Sequence, residues 1–142
     1  MAISLYDLSV SSYLQVLGGM KGVLQKGLEH CQATGTDLQT IVSSRMIDDM
    51  LPFAFQVAAV AHHSLGAIEG IKKGVFTPPS NIPTDYAGLQ KLLADAETGL
   101  KALTPAEVNA LEGKDMTFQM RDMKIPFTAE GFIMSFSLPN FY

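Results

Sequence analysis

Cysteine is nearly absent from this chain, clusters of basic residues are absent altogether, and no apolar run is long enough to cross a bilayer. Each gap removes a class of function. The single Cys31 among 142 residues cannot close an internal disulfide, so nothing points to an oxidising compartment. The Lys and Arg residues, 10 in all, are dispersed and the net charge is −4. That argues against nucleic acid, where neutralising phosphate dominates affinity. The longest apolar run, residues 50–61, contains Pro52 and Gln56 and ends against His62 and His63, too short for a membrane span. The start, Met1-Ala2-Ile3-Ser4-Leu5-Tyr6-Asp7, lacks the basic opening and uninterrupted apolar core of a signal peptide. Gly-rich phosphate loops, Gly-x-Ser-x-Gly elbows, Cys-x-x-Cys pairs and His-Glu-x-x-His motifs are missing too. The expectation is a cytoplasmic protein with no nucleic-acid partner and no membrane partner.

Charge is sparse as well. Charged residues make up 17% of the chain, against about 25% in a typical soluble domain, and the mean hydropathy is +0.19. An oligomer interface would account for the deficit, and a homodimer is the simplest form of it. The hydrophobic content of 47% excludes a disordered chain. The length suits one domain with one sizeable core.

Hydrophobic spacing organises the chain. Val10, Leu14, Leu17, Lys21, Leu24, Leu28 and Cys31 follow alternating four- and three-residue steps, one stripe of a long helix from about Ser4 to Ala33. Gly18, Gly19, Gly22 and Gly27 lower its intrinsic propensity by roughly 1 kcal/mol each relative to alanine, so packing must hold it, and the glycines offer room for a close neighbour. Asp37 caps a short helix, residues 38–42. Asp48 and Asp49, followed by Pro52, read as carboxylates at the positive end of a second long helix. Its apolar face, Phe53, Val57, Val60, Ser64, Ile68 and Ile71, runs unbroken to Lys72-Lys73-Gly74. Residues 76–84, with three prolines, read as a loop. A third helix opens at Thr84-Asp85, and Thr104-Pro105-Ala106-Glu107 is a capping box for a short one. Residues 116–120 and 123–127 alternate apolar and polar around Arg121-Asp122, the pattern of a β-hairpin whose Pro126 demands an edge strand. Met116, Met120 and Met123 on that ribbon are placed to cover a pocket mouth or a partner. Thr128 then opens a last, apolar helix that ends at Phe141-Tyr142 with neither a polar cap nor a Gly stop. Phe141 and Tyr142 are therefore expected to be buried or partnered.

Helices of these lengths, joined by loops of these lengths, imply a four-helix bundle. Ser4-Leu5-Tyr6-Asp7, the run Arg45-Met46-Ile47-Asp48-Asp49-Met50-Leu51-Pro52 followed by Gln56-Val57, and Leu138-Pro139-Asn140-Phe141-Tyr142 resemble a domain-of-unknown-function family of the DinB/YfiT-like superfamily. The resemblance covers essentially the whole chain. It implies an all-α fold, a DinB/YfiT-like four-helix bundle with an up-down-down-up course, often dimeric, and a small β-hairpin before the last helix. In similar sequences that helix continues past Pro-Asn-Phe, usually with a His soon after, so residues 1–142 read as one helical-bundle domain truncated within or just after its last helix. Many members of the superfamily are metal-dependent, thiol transferases among them, with one His on the second helix and a His-x-x-x-His pair on the fourth. Residues 128–142 contain no His. The pattern is unmet, and neither a metal nor another cofactor is expected.

The residues left for chemistry are few. His62 and His63 are adjacent on the second helix, so their side chains diverge by about 100°. Either could act as a general acid or base, or simply be a hydrogen-bonded polar residue inside the bundle. His30 lies near the end of the first helix, where a cation is favoured. Arg45 could clamp an anion at the bundle mouth or pair with Asp48 or Asp49. Tyr6, Tyr13, Gln56 and Asn140 could supply hydrogen bonds inside an otherwise apolar cavity. The leading expectation is a small-molecule binder or metal-independent enzyme, with His62 and His63 as catalytic candidates and Tyr13, Arg45, Gln56 and Asn140 on the ligand. The alternatives are a non-catalytic dimeric interaction module, or a metal-dependent transferase whose further ligands lie beyond residue 142.

Overall fold

The computed structural model describes residues 3–142; Met1 and Ala2, part of the segment read above for a signal peptide, lie outside it. Ser4 anchors the first turn, its hydroxyl accepting from the Asp7 backbone N–H at 3.1 Å and donating to the Asp7 carboxylate at 2.7 Å. A π-helical turn, Asp7–Ser11, leads into helix α1, Ser12–Thr34, which Gly35 closes in the left-handed conformation. The expected stripe buries Val10, Leu17, Leu24 and Cys31, joined by Tyr13. Lys21 falls on the same line but reaches the seam with α5, where it and Lys101 share the Glu97 carboxylate. Of the four helical glycines only Gly27 admits a close neighbour. The Tyr86 hydroxyl donates to the Leu24 carbonyl at 2.6 Å, and a Cβ on Gly27 would stand 2.5 Å from the Tyr86 hydroxyl oxygen. Gly18, Gly19 and Gly22 have nothing within 4 Å.

Asp37 caps α2, Leu38–Ser43, as its spacing suggests. The next start differs from expectation. Helix α3, Phe53–His62, begins behind Pro52 with no side-chain cap, its first N–H bonded to the Ser44 carbonyl at 2.8 Å. Asp48 and Asp49 sit in the exposed turn before it, ahead of the first helical turn where the dipole acts. Arg45 donates to the Asp48 backbone carbonyl at 3.1 Å and pairs with neither carboxylate. The second long helix is also broken. At Ser64 the backbone turns to φ −109°, ψ −90°, and a separate helix α4 runs over Leu65–Lys73. The Ser64 hydroxyl bonds the Val60 and Ala61 carbonyls. A serine side chain competes in this way with the next helical turn.

The region expected to be a loop opens with a strand. β1, Val75–Phe76, pairs parallel to β2, Asp115–Met120, which pairs antiparallel to β3, Met123–Thr128. The hairpin register, Met120 opposite Met123 around Arg121-Asp122 and Pro126 on an edge strand, is the expected one. The fold is thus mostly helical but not strictly all-α, because a three-stranded sheet β1-β2-β3 is built into it. Met116 is core, while Met120, Met123 and Ile125 remain exposed on the same ribbon face. Between β1 and β2 lie α5, Tyr86–Ala102, capped by Asp85, and α6, Pro105–Asn109, started by the Thr104–Glu107 capping box.

Thr128 caps the last helix through the Gly131 N–H at 3.2 Å. Three segments run on without a break: α7, Ala129–Phe132, a π-helical turn, Ile133–Ser137, and α8, Leu138–Phe141. α1 and α3 pack on α5, and α8 packs on α3. One hydrophobic cluster joins these elements from Leu5 to Phe141. Phe141 is buried against Tyr13, ring centroids 5.0 Å apart at 76°. Tyr142 is 77% exposed and is not buried within the chain.

Candidate aromatic pocket at His63

Gln56 and Ala59 on α3, and His63 which closes it, stand at steps of three and four, so they share one face. That face borders a cavity of about 230 Å³. Its other walls come from separate parts of the chain: Phe76 from β1, Phe118 from β2, and Phe136 and Asn140 from the last helix. Pro78 and Pro79 close the side formed by the segment after β1. The His63 ring lies 5.2 Å from Phe76 and 5.8 Å from Phe136, and Phe118 stacks near Phe136 at 4.6 Å.

His63 is 8% exposed, and its Nδ1 is buried with no hydrogen-bond partner. Burial, reinforced by the neighbouring His62, pulls its pKa down to about 4, so the imidazole is neutral at pH 7. Its backbone is held from behind. Ser137 Oγ donates to the His63 carbonyl at 2.6 Å and lies 2.8 Å from the Tyr13 hydroxyl. Ser137 has one proton and spends it on a carbonyl that can only accept, so Tyr13 donates to Ser137. Tyr13 and Ser137 are both fully buried, and burial raises the Tyr13 pKa well above its ordinary value. Tyr13 is therefore part of the support for His63 and not of the cavity wall. The two amides on the wall are oriented by backbone carbonyls. Gln56 Nε2 donates to Leu51 at 3.1 Å and Asn140 Nδ2 to Phe136 at 2.7 Å, so neither side-chain oxygen is committed.

His62 belongs to a different space. Its ring centroid is 5.9 Å from that of His63 at an angle of 82°, and it lines a cavity of about 170 Å³ with Glu69 and Asn81. Its Nε2 donates to the Thr77 carbonyl at 2.6 Å, which leaves Nδ1 as the acceptor, 3.1 Å from where a Cβ on Gly66 would sit. Burial lowers its pKa, while the Thr77 bond and Glu69 oppose that shift. Of the expected site residues, then, Gln56, His63 and Asn140 come together. His62, Tyr13 and the exposed Arg45 do not join them. The two histidines diverge as neighbours on a helix must, and among the described residues no three His, Cys, Asp or Glu side chains gather to hold a metal ion. The superfamily's metal arrangement does not fit these residues.

The aromatic walls are not legible in the sequence, because Phe76, Phe118 and Phe136 meet only when β1, β2 and the last helix come together. Larger hollows exist, about 340 Å³ beside Val42 and Pro52 and about 380 Å³ beside Leu8 and Met134. Neither holds a buried polar atom without a partner; among the described side chains that atom is His63 Nδ1.

The sequence profile described as "Domain of unknown function (DUF1993)" matches residues 5–142. The chain belongs to the DUF1993 family. The crystal structure of a DinB family member from Shewanella denitrificans is similar in fold, with a TM-score of 0.76 over 97% of this chain and 78% of that one. At 19% identity the likeness speaks for the fold alone. No curated protein matches significantly. Among the described residues of this DUF1993 protein, no helix is long and apolar enough to cross a membrane.

Proposed function

We propose that this DinB-like protein is a four-helix bundle of α1, α3 with α4, α5 and the last helix, which binds a small, largely apolar molecule, without a metal, in the cavity over His63. The observation that carries the reading is the imidazole of His63, nine-tenths buried, unpartnered, and set among Phe76, Phe118 and Phe136. Nδ1 is enclosed, so a molecule in the cavity meets the ring at Nε2, which also has no partner within the chain. A cavity of about 230 Å³ lies below the drug-sized range and suits a molecule of one or two rings. Any turnover here is cofactor-free chemistry at the His63 ring, which its lowered pKa keeps neutral at neutral pH. The buried, free Cys31 is in keeping with a cytoplasmic setting. Titration of the labelled protein with ethylbenzene, followed by amide and aromatic NMR shifts, tests the reading. Shifts confined to His63, Phe118 and Phe136 support it, and their absence at saturating ligand refutes it.

A second reading has its own support. Met120 and Met123 are each 43% exposed and share a ribbon face with Ile125, an apolar surface suited to a second copy of the chain. Light scattering of wild type beside Met120→Lys/Met123→Lys decides it: a dimer that the substitutions dissociate supports this face, and a monomeric wild type rejects it.

A further inference from the structure

We infer that the His63 cavity takes a flat, uncharged arene bearing a hydrogen-bond acceptor at one end and a hydrogen-bond donor at the other; this rests on the cavity reading above and specifies its ligand. The acceptor end follows from His63. Nδ1 is enclosed without a partner, and Nε2, which also lacks a partner within the chain, is not enclosed. A neutral imidazole carries one proton. Burying an unpaired N–H is rarer and costlier than burying an unpaired lone pair, so the proton sits on Nε2 and is presented to the cavity.

The donor end follows from the amides. Gln56 and Asn140 use their nitrogens on the Leu51 and Phe136 carbonyls, which leaves Oε1 and Oδ1 as acceptors on the lining. Gln56 lies seven residues before His63 on one helix face, about 10 Å away along the axis. Asn140 joins the Gln56 end: Phe136 and Ser137 touch His63, and α8 beyond them packs along α3. One donor therefore faces two acceptors across the length of a substituted benzene ring.

The lack of charge follows from the lining. No Asp, Glu, Lys or Arg borders the cavity, so a carboxylate or ammonium would lose its water with no counter-ion in return. The Phe76, Phe118 and Phe136 rings favour a flat partner. An aromatic amine para to a ketone meets every condition, its two N–H groups matching the two amide oxygens.

The test titrates the full chain at neutral pH with para-aminoacetophenone, acetophenone, ethylbenzene and para-aminobenzoate, read by NMR shifts. Para-aminoacetophenone is expected to bind at least about tenfold tighter than ethylbenzene or para-aminobenzoate, with acetophenone between. Gln56→Leu, at a half-buried position, should narrow the advantage of para-aminoacetophenone over acetophenone and leave acetophenone unchanged. His63→Phe should abolish the preference for acetophenone over ethylbenzene, while para-aminoacetophenone keeps only what its amine gains from Gln56 and Asn140. On binding, the side-chain nitrogen shifts of His63 in the wild type should show Nε2 protonated, a readout that does not depend on how a variant folds. Equal affinities for ethylbenzene and para-aminoacetophenone, or tightest binding of para-aminobenzoate, would overturn the inference and leave the cavity reading standing. If none of the four shifts the His63 and Phe136 signals, the cavity reading falls and the inference falls with it.

Discussion

Replacing Ser137 with alanine removes one oxygen atom and strands two groups. Ser137 Oγ donates to the His63 carbonyl at 2.6 Å and accepts from the Tyr13 hydroxyl at 2.8 Å, and both Tyr13 and Ser137 are inaccessible to water. After Ser137→Ala the Tyr13 hydroxyl and the His63 carbonyl are both left wanting. At about 1–3 kcal/mol for each buried polar group left unsatisfied, the loss is roughly 2–6 kcal/mol, a large share of the ~5–15 kcal/mol that holds a domain together. Tyr13→Phe is milder. It removes one bond and leaves only a spare lone pair on Ser137, which still donates to His63, so the cost is about 0.5–1.5 kcal/mol. In the double variant no tyrosine hydroxyl is stranded, and the total should fall short of the sum by about 1–2 kcal/mol. Urea unfolding of the four proteins, compared at equal slope, measures all three quantities. A Ser137→Ala variant no less stable than Tyr13→Phe, or strict additivity of the two, would show that this buried chain of hydroxyls does not hold the α3–α4 break against the last helix.

Acid should act on His63 in a defined window. Its folded-state pKa, about 4, lies below the ordinary 6.5, so the unfolded chain binds the proton first. Its contribution is complete above pH 6.5 and is lost as pH falls towards 4, a change of about 3 kcal/mol. Unfolding midpoints across that window, with and without His63→Phe, check it; a flat wild-type profile contradicts the burial argument. Glycines of α1 should divide by location. Gly19→Ala and Gly22→Ala, with open space around them, should each stabilise by roughly 0.5–1 kcal/mol in thermal melts, whereas Gly27→Ala, pressed on the Tyr86 hydroxyl, should destabilise. Arg121 holds φ +54° at the first position of the hairpin turn, where glycine carries no steric penalty. Arg121→Gly should raise stability by about 1 kcal/mol, and an unchanged melting temperature would argue that the turn is unstrained.

Much of the helical layout was legible because local signals carried it. Asp37, Asp85, the Thr104–Glu107 box, Lys73-Gly74 and Thr128 each mark an end where the structure has one. The hairpin was legible from alternation alone. What stayed hidden depends on distant partners. Ser64 continues the apolar period of the second helix, so the break there is invisible until its hydroxyl is seen turning to Val60 and Ala61. Val75 and Phe76 form a strand only because β2 arrives beside them. Asp48 and Asp49 have the composition of a helix start, yet the chain uses them one turn too early. The site was half legible: the spacing of Gln56 and His63 placed them on one face, but no spacing could bring Phe76, Phe118 and Phe136 to it. The fate of Tyr13 and Ser137, 124 residues apart, is likewise a property of the fold alone.

The parallel pairing of β1 with β2 sets the order in which the pocket can be assembled. Val75 and Phe76 meet Thr117 and Phe118 across roughly forty residues of chain, while β2 and β3 meet across a two-residue turn. Local contacts of the second kind form early; a closure of the first kind waits until α5 and α6 are in place between its ends. Phe76 and Phe118, register partners on β1 and β2, together form one wall of the cavity. The pocket wall therefore depends on the slower of these two closures, and parting β1 from β2 opens it.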